Sequence, residues 1–250
     1  MSALANPLVK VPLLLLTAYL NYEIWNFPTT PSPANRKRQE NKDLITRIVI
    51  LNALSTKLTM VAICGFCFAE ASVILGQSSY SESLPLLARL TPLFAPNRNS
   101  AAAPLPVYLS AHSLGAFLLI AAGGAFRLWA MRTLGKFFVM EVSLQKDHHL
   151  ATRGPYALVR HPSYAGYALI VAGDALFLLG DGSYLSALGL WENTVWAALA
   201  CAVAGRSLFV ATVLMPRRAG REDAVLREEF GGEWEAWAER TPYKLMPYVF

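Results

Sequence analysis

GPYALVRHPSYAGYALIVAGDALFLL, from Gly154 to Leu179, opens as a turn, presents an Arg-His pair, and then runs straight into apolar sequence. Pro162 suits the first turn of a helix, where its missing N–H costs nothing and its fixed φ helps. A helix is therefore expected to begin near His161-Pro162, with free backbone N–H groups at about residues 163–166. Such a start attracts anions through those donors and its partial positive charge. Gly154-Pro155 supplies a turn upstream, and Gly166 permits close approach of a ligand or another backbone. Two readings stay open on these residues: a place for a carboxylate or phosphate, or a basic membrane-interface anchor with an aromatic belt of Tyr156, Tyr164 and Tyr167.

The apolar run is one of five. With 54% hydrophobic and 16% charged residues among 250, the chain is far from the usual charged fraction of about 25%. Stretches of the length a bilayer needs, about 20 residues, fall at roughly 8–27, 44–76, 105–131, 164–181 and 190–215. The expected fold is an all-α integral membrane protein of about five transmembrane helices. Residues 1–131 would form N-terminal transmembrane helices, and 132–250 a catalytic region with two more and a polar tail. Pro28, Pro31 and Pro33 end the first span, and 77–104 reads as a loop. Residues 1–27 lack a basic leader and a small-residue cleavage site, so the first span is expected to stay. The chain has no C-terminal prenylation box, so it is not itself expected to carry a prenyl group.

The net charge of +5 could suggest nucleic acid, but the basic residues sit in blocks beside the spans, as membrane topology predicts. Arg36, Lys37, Arg38 and Lys42 lie in 28–43; Arg132, Lys136, Lys146, Arg153 and Arg160 in 132–163; six more follow residue 216. The 132–163 loop and the tail thus share one face, expected to be cytosolic. Cys64 and Cys67 have redox-motif spacing, yet one such pair inside an apolar span reads as packing. The four histidines and nearby acids show no metal-ligand spacing, so no metal is expected. Three of the charges inside the spans carry expectations. Glu70 needs a partner. Asp174 and Arg206 occur at matching depths on neighbouring spans, which predicts that they pair.

The tail carries a second cluster. Its apolar residues up to Phe230, Trp234 and Trp237 recur at roughly helical spacing, consistent with an amphipathic helix on the membrane surface. Trp191, Trp234 and Trp237 read as interfacial anchors. Arg218 and Glu222 are four apart and share a helix face. An Arg that can clamp a carboxylate beside a Glu that can accept from an ammonium suits a zwitterionic ligand and an anionic substrate together.

His148-x-Leu150-x-Thr152-x-Gly154-x-Tyr156, then Arg160-His161-Pro162-Ser163-Tyr164-x-Gly166, then Arg218-x-x-x-Glu222-Asp223-x-x-Leu226 with Phe230-Gly231, resembles the isoprenylcysteine carboxyl methyltransferase family. Arg240-Thr241-Pro242 and Pro247 resemble that family's ending. The likeness covers about 130–250. It implies S-adenosylmethionine as cofactor, in a cytosolic pocket built from the 132–163 loop and the tail. Glu141, His148, His149, Leu150, Ala151, Tyr156, His161, Pro162, Ser163 and Tyr164 would hold it, with Glu222 on its ammonium. Arg218 would be the catalytic, substrate-binding residue facing the acceptor carboxylate. Two positions depart from the pattern: Glu141 stands where the family has Gln, and Asp223 where it has Glu. The implied reaction is carboxyl methylation of a prenylated protein's C-terminal cysteine, in the endoplasmic reticulum of a eukaryotic host.

The chemistry agrees with that resemblance. A sulfonium methyl is already electrophilic, so the protein mainly needs alignment and a dry pocket. An α-carboxylate, with a pKa of about 3.5, is ionised and needs no base. An amine acceptor would need one, and His148, His149 or His161 could serve. The alternatives are therefore a phospholipid amine or another small lipophilic acceptor, a membrane sterol-type reductase using NADPH, and a non-catalytic membrane scaffold.

Overall fold

A computed structural model describes residues 6–25, 44–79, 81, 85–94, 105–138 and 149–247. Among these residues there is no strand. The longer helices among the described residues are α1 (Lys10–Trp25), α2 (Leu44–Gly76), α3 (Pro85–Phe94), α4 (Ala111–Leu134), α5 (Pro162–Leu179), α6 (Thr194–Phe209), α7 (Met215–Phe230) and α8 (Gly232–Arg240). Four helical stretches are long and apolar enough to cross a membrane: Ser55–Gly76, Ala111–Phe137, Pro162–Ala187 and Thr194–Phe230. The chain is an all-α integral membrane protein. The first expected span is the shorter case, because α1 has 16 residues, about 24 Å at 1.5 Å per residue. The basic residues of 28–43, its prolines, and Lys146 lie outside the described residues.

Two sequence expectations about this architecture are corrected. Within 77–104, expected as a loop, Pro85–Phe94 is helical; its Pro85 occupies a first-turn position that tolerates proline. The fifth expected span, placed at 190–215, also continues into the first helix of the tail. A π-helical turn, Val210–Leu214, joins α6 to α7 without a break. Pro216 explains the widened turn, since it has no N–H and its ring would collide with the carbonyl one α-turn back, that of Thr212. The Thr212 hydroxyl donates to the Leu208 carbonyl at 2.7 Å. The combined 37-residue stretch is about 55 Å long, well beyond the roughly 30 Å hydrocarbon layer. Gly231, with φ +49°, ends α7 and lets α8 turn away.

The chain divides into two compact units, one of Met1–Tyr22, Leu58–Ala121 and Ile170–Arg206, the other of Glu23–Lys57, Ala122–Leu169 and Ser207–Phe250. In the first, one buried ion pair is formed. Lys10 Nζ meets Glu70 at 2.5 Å with neither side chain more than 1% exposed. The ammonium also donates to the Gly182 carbonyl at 2.9 Å, and Glu70 accepts from the Tyr184 N–H at 3.2 Å. Glu70 thus has the partner that its place in a span requires.

The expected Asp174–Arg206 pair does not form. Asp174 accepts from Asn21 Nδ2 at 3.1 Å, and Arg206 donates to Thr59 Oγ1 at 3.1 Å. Matching depth does not determine which face of a helix meets which neighbour, and α1 supplies the amide that Asp174 uses. Cys67 is fully buried and Cys64 lies against the Ala18 carbonyl at 3.5 Å, as expected of packing residues.

Candidate active site

The second unit contains the RHPSY stretch, and the sequence supplies its frame from three places. The turn Gly154–Ala157 and the residues up to His161 lead into α5. The polypeptide beyond α8 pins this lead-in: the Arg160 N–H donates to the Tyr243 carbonyl at 2.9 Å and the His161 N–H to the Lys244 carbonyl at 2.8 Å. Arg160 also donates through Nη1 to the Thr241 carbonyl at 3.3 Å. Helix α4 packs against the start of α5 backbone to backbone. A Cβ on Gly166 would lie 2.6 Å from the Gly123 carbonyl oxygen, so a side chain has no room there.

The expectation of free N–H groups at 163–166 is overturned at two positions. Tyr164 and Ala165 donate to the His161 carbonyl at 3.1 and 3.3 Å, closing the first turn on itself. Two carboxylates from α7 face this helix start instead. His161 Nε2 lies 2.9 Å from Asp223 Oδ1, and Nδ1 lies 3.3 Å from Glu222 Oε2. The Tyr164 hydroxyl donates to Glu222 Oε1 at 2.5 Å, and Arg218 Nε donates to the same oxygen at 3.2 Å. Arg160 Nε sits 3.4 Å from Asp223 Oδ2. The His161 and Tyr164 rings stack with centroids 5.7 Å apart.

Burial favours the neutral His161 ring, but hydrogen bonds and charge from Asp223 and Glu222 outweigh it and hold the pKa above its ordinary value. With both ring nitrogens facing carboxylates, the imidazolium, which donates from both, is the matching form. Burial pushes the Tyr156 hydroxyl far up, and the Glu222 charge adds to it while Arg127 opposes.

The other expected residues sort as follows. Leu150 and Tyr156 are buried with Ala130 and Trp237 in one apolar cluster, with Ala151 packed against it. Pro162 is buried. Ser163 is already engaged, its hydroxyl accepting from Arg127 Nη1 at 2.6 Å. His149 is exposed, edge-on to Phe137 with centroids 5.0 Å apart. Glu141 and His148 lie outside the described residues. Trp237 is no interfacial anchor: it is 3% exposed and donates to the Tyr156 carbonyl at 3.0 Å. An indole with its N–H satisfied inside a core packs as any large apolar group does.

Sequence reasoning missed three contributors. Asp223 was marked only as a departure from a pattern, yet it is the shortest partner of His161. Arg160 bridges Asp223, the tail carbonyls and the Trp234 face, its guanidinium 5.7 Å from that ring. Arg127 reaches Ser163 across 36 residues; its one sequence signal was a guanidinium inside an apolar run.

Chemically, the cluster is an acid-rich cup with cations around it. Glu222 offers a carboxylate that can accept from a small cationic ligand, its charge shared with His161 and Arg218, and Arg218 beside it can orient an anion. Residues 116–200 match the Isoprenylcysteine carboxyl methyltransferase (ICMT) family. The match includes the RHPSY stretch and ends before Arg218. Among curated relatives, a rice (Oryza sativa subsp. indica) protein named as a probable protein-S-isoprenylcysteine O-methyltransferase is 25% identical over 135 residues, 53% of this chain and 59% of its own length. A Schizosaccharomyces pombe protein-S-isoprenylcysteine O-methyltransferase is 28% identical over 53% of this chain and 49% of its own length. The B form from Arabidopsis thaliana is 27% identical over 50% and 54%. The chain thus spans about half the length of the curated relatives it matches. No solved structure matches it. Over residues 116–200 the chain is similar to the isoprenylcysteine carboxyl methyltransferase family, and the relatives it resembles are named as methyltransferases.

Proposed function

We propose that the chain transfers a methyl group from S-adenosylmethionine to the C-terminal carboxylate of a prenylated cysteine, or a closely similar lipophilic acid, at the cytosolic face of an endoplasmic-reticulum-type membrane. The observation that carries this reading is the meeting of Tyr164 and His161 with Glu222, two segments about 60 positions apart, at 2.5 and 3.3 Å. The donor set fits that cofactor. Glu222 would accept from its ammonium. The aromatic faces of His161 and Tyr164, with the segment His148 to Ala151 and Tyr156, would flank it. When bound, it supplies an electrophilic methyl group.

The chain's own residues bind and align. Arg218, held on Glu222, orients the acceptor carboxylate, which is ionised at neutral pH and needs no proton removed. His161 has both nitrogens committed to carboxylates, so it is poorly placed as the base an amine acceptor would require. That favours the carboxylate over the phospholipid amine. The apolar spans around the site suit an acceptor whose lipid chain arrives from the bilayer. The test is labelled-methyl transfer to S-farnesylcysteine by the purified chain in lipid nanodiscs. Turnover that Arg218→Ala abolishes supports the reading. Intact S-adenosylmethionine binding with no turnover rejects the acceptor.

A further inference from the structure

Arg127 lies within AAGGAFRLWA, residues 121–130, where an ionised group is expensive unless something answers its charge. It is only 5% exposed. Lys10, His161 and Arg218, the other cations buried to that degree among the described residues, each face a carboxylate. Arg127 faces none among the described residues. Its polar contacts are the Ser163 carbonyl at 2.9 Å and the Ser163 hydroxyl at 2.6 Å, both from Nη1. Its guanidinium lies over the Phe138 and Tyr167 rings, 5.8 and 5.7 Å from their centroids. Nε is buried with no partner. Of the five N–H donors of a guanidinium, those named contacts use one nitrogen.

Its location gives the unmatched charge a meaning. Because α4 and α5 touch backbone to backbone at Gly123 and Gly166, the Arg127 stem reaches the first turn of α5. Ser163, which it grips, directly precedes Tyr164, whose hydroxyl donates to Glu222. The cation therefore grips the residue that precedes the Tyr164 of the carboxylate cluster. Arg218 is bonded to Glu222, which leaves an arriving anion with only a shared counter-charge there.

We propose that Arg127 is a carboxylate-binding residue of this site, a planar donor fork whose counter-ion is supplied by a ligand. The proposal rests on the methyltransferase reading of the site. Two ligands would bring that group: the acceptor acid and the amino-acid end of the methyl donor. The arms of one experiment separate them.

The experiment measures binding of two ligand pairs to the full chain in nanodiscs. One pair is S-farnesylcysteine and its carboxamide. The other is S-adenosylmethionine and its decarboxylated form. The wild type is expected to prefer the carboxylate member of one pair by about tenfold or more, as a charge-assisted hydrogen bond implies. Arg127→Gln is expected to remove that preference, and Arg127→Lys to retain part of it. The pair that loses its preference identifies the carboxylate. If Arg127→Gln weakens both members of each pair equally, the residue only braces α4 against α5 and the inference is overturned. Should Arg127→Gln fail to fold, an undiminished preference in Arg127→Lys overturns it as well. Absence of a carboxylate preference in both wild-type pairs also overturns it. Loss of farnesylcysteine binding alone would instead remove the proposed acceptor, leaving the donor pair to decide the role of Arg127.

Discussion

Asp223→Asn isolates the contact that best defines the site. In the wild type, the His161 ring sits between Asp223 at 2.9 Å and Glu222 at 3.3 Å, and its pKa is held above the ordinary 6.5. The side chains of His161 and Asp223 are 6% and 9% exposed, so solvent screens this pair little. At an effective dielectric of about 20, two unit charges at contact attract by several kcal/mol, and desolvation offsets much of that. A hydrogen bond to a charged group nets about 1.5–3 kcal/mol. Asn keeps an acceptor oxygen but loses the charge, so a loss of about 2 kcal/mol is expected where His161 is protonated. For a chain of this size that is a fall of about 4–8 °C in Tm. The pH dependence has a definite sign. A group whose folded pKa lies above its unfolded value contributes stability that is complete below about pH 6.5 and is lost as pH rises through the folded pKa. The wild-type-minus-variant difference in Tm, followed by tryptophan fluorescence in detergent from pH 5.5 to 9, should be largest in acid and shrink toward alkaline pH. The pairing of Asp223 with Arg160 leaves a residual difference at high pH. A difference that grows with pH would refute the reasoning.

Lys10→Ala should cost about 3–5 kcal/mol, because Glu70 would be left as an uncompensated buried carboxylate; the joint replacement Lys10→Met with Glu70→Leu should recover most of the lost Tm. Gly166→Ala should destabilise by about 1–3 kcal/mol through overpacking against Gly123 and Arg127, visible as a lower midpoint in thermal unfolding. Asp174→Asn and Arg206→Met should be additive within about 0.5 kcal/mol, because their partners are Asn21 and Thr59 and not each other; a coupling above about 1 kcal/mol would restore the direct pair.

Much of this arrangement is legible in sequence where local rules suffice. Pro162 announces the start of α5, and four-residue spacing puts Arg218 and Glu222 on one face, where they bond at 3.2 Å. The failures are all cases in which a third element decides. Adjacent residues on a helix point about 100° apart, so nothing local says that Glu222 and Asp223 serve the same ring. They do because His161 presents its two nitrogens in different directions between them. Depth along a span suggested Arg206 for Asp174, but α1 intervenes with Asn21. Trp237 looked like a surface anchor because its neighbours in α8 are charged, and only the fold shows the apolar cluster with Leu150 and Tyr156 that it enters. The helix widens into a π-helical turn before Pro216. Proline predicts some disturbance there but not its form.

The central claim is that the RHPSY turn and α7 act together on one methyl donor. It is tested most directly by equilibrium binding of labelled S-adenosylmethionine to the full chain carrying Tyr164→Phe, Glu222→Gln, or both. The wild type should bind saturably, and each single variant should bind more weakly. The double variant should lose less than the sum, because the two side chains share a 2.5 Å hydrogen bond. Additive losses, or no saturable binding by the wild type, would contradict the account.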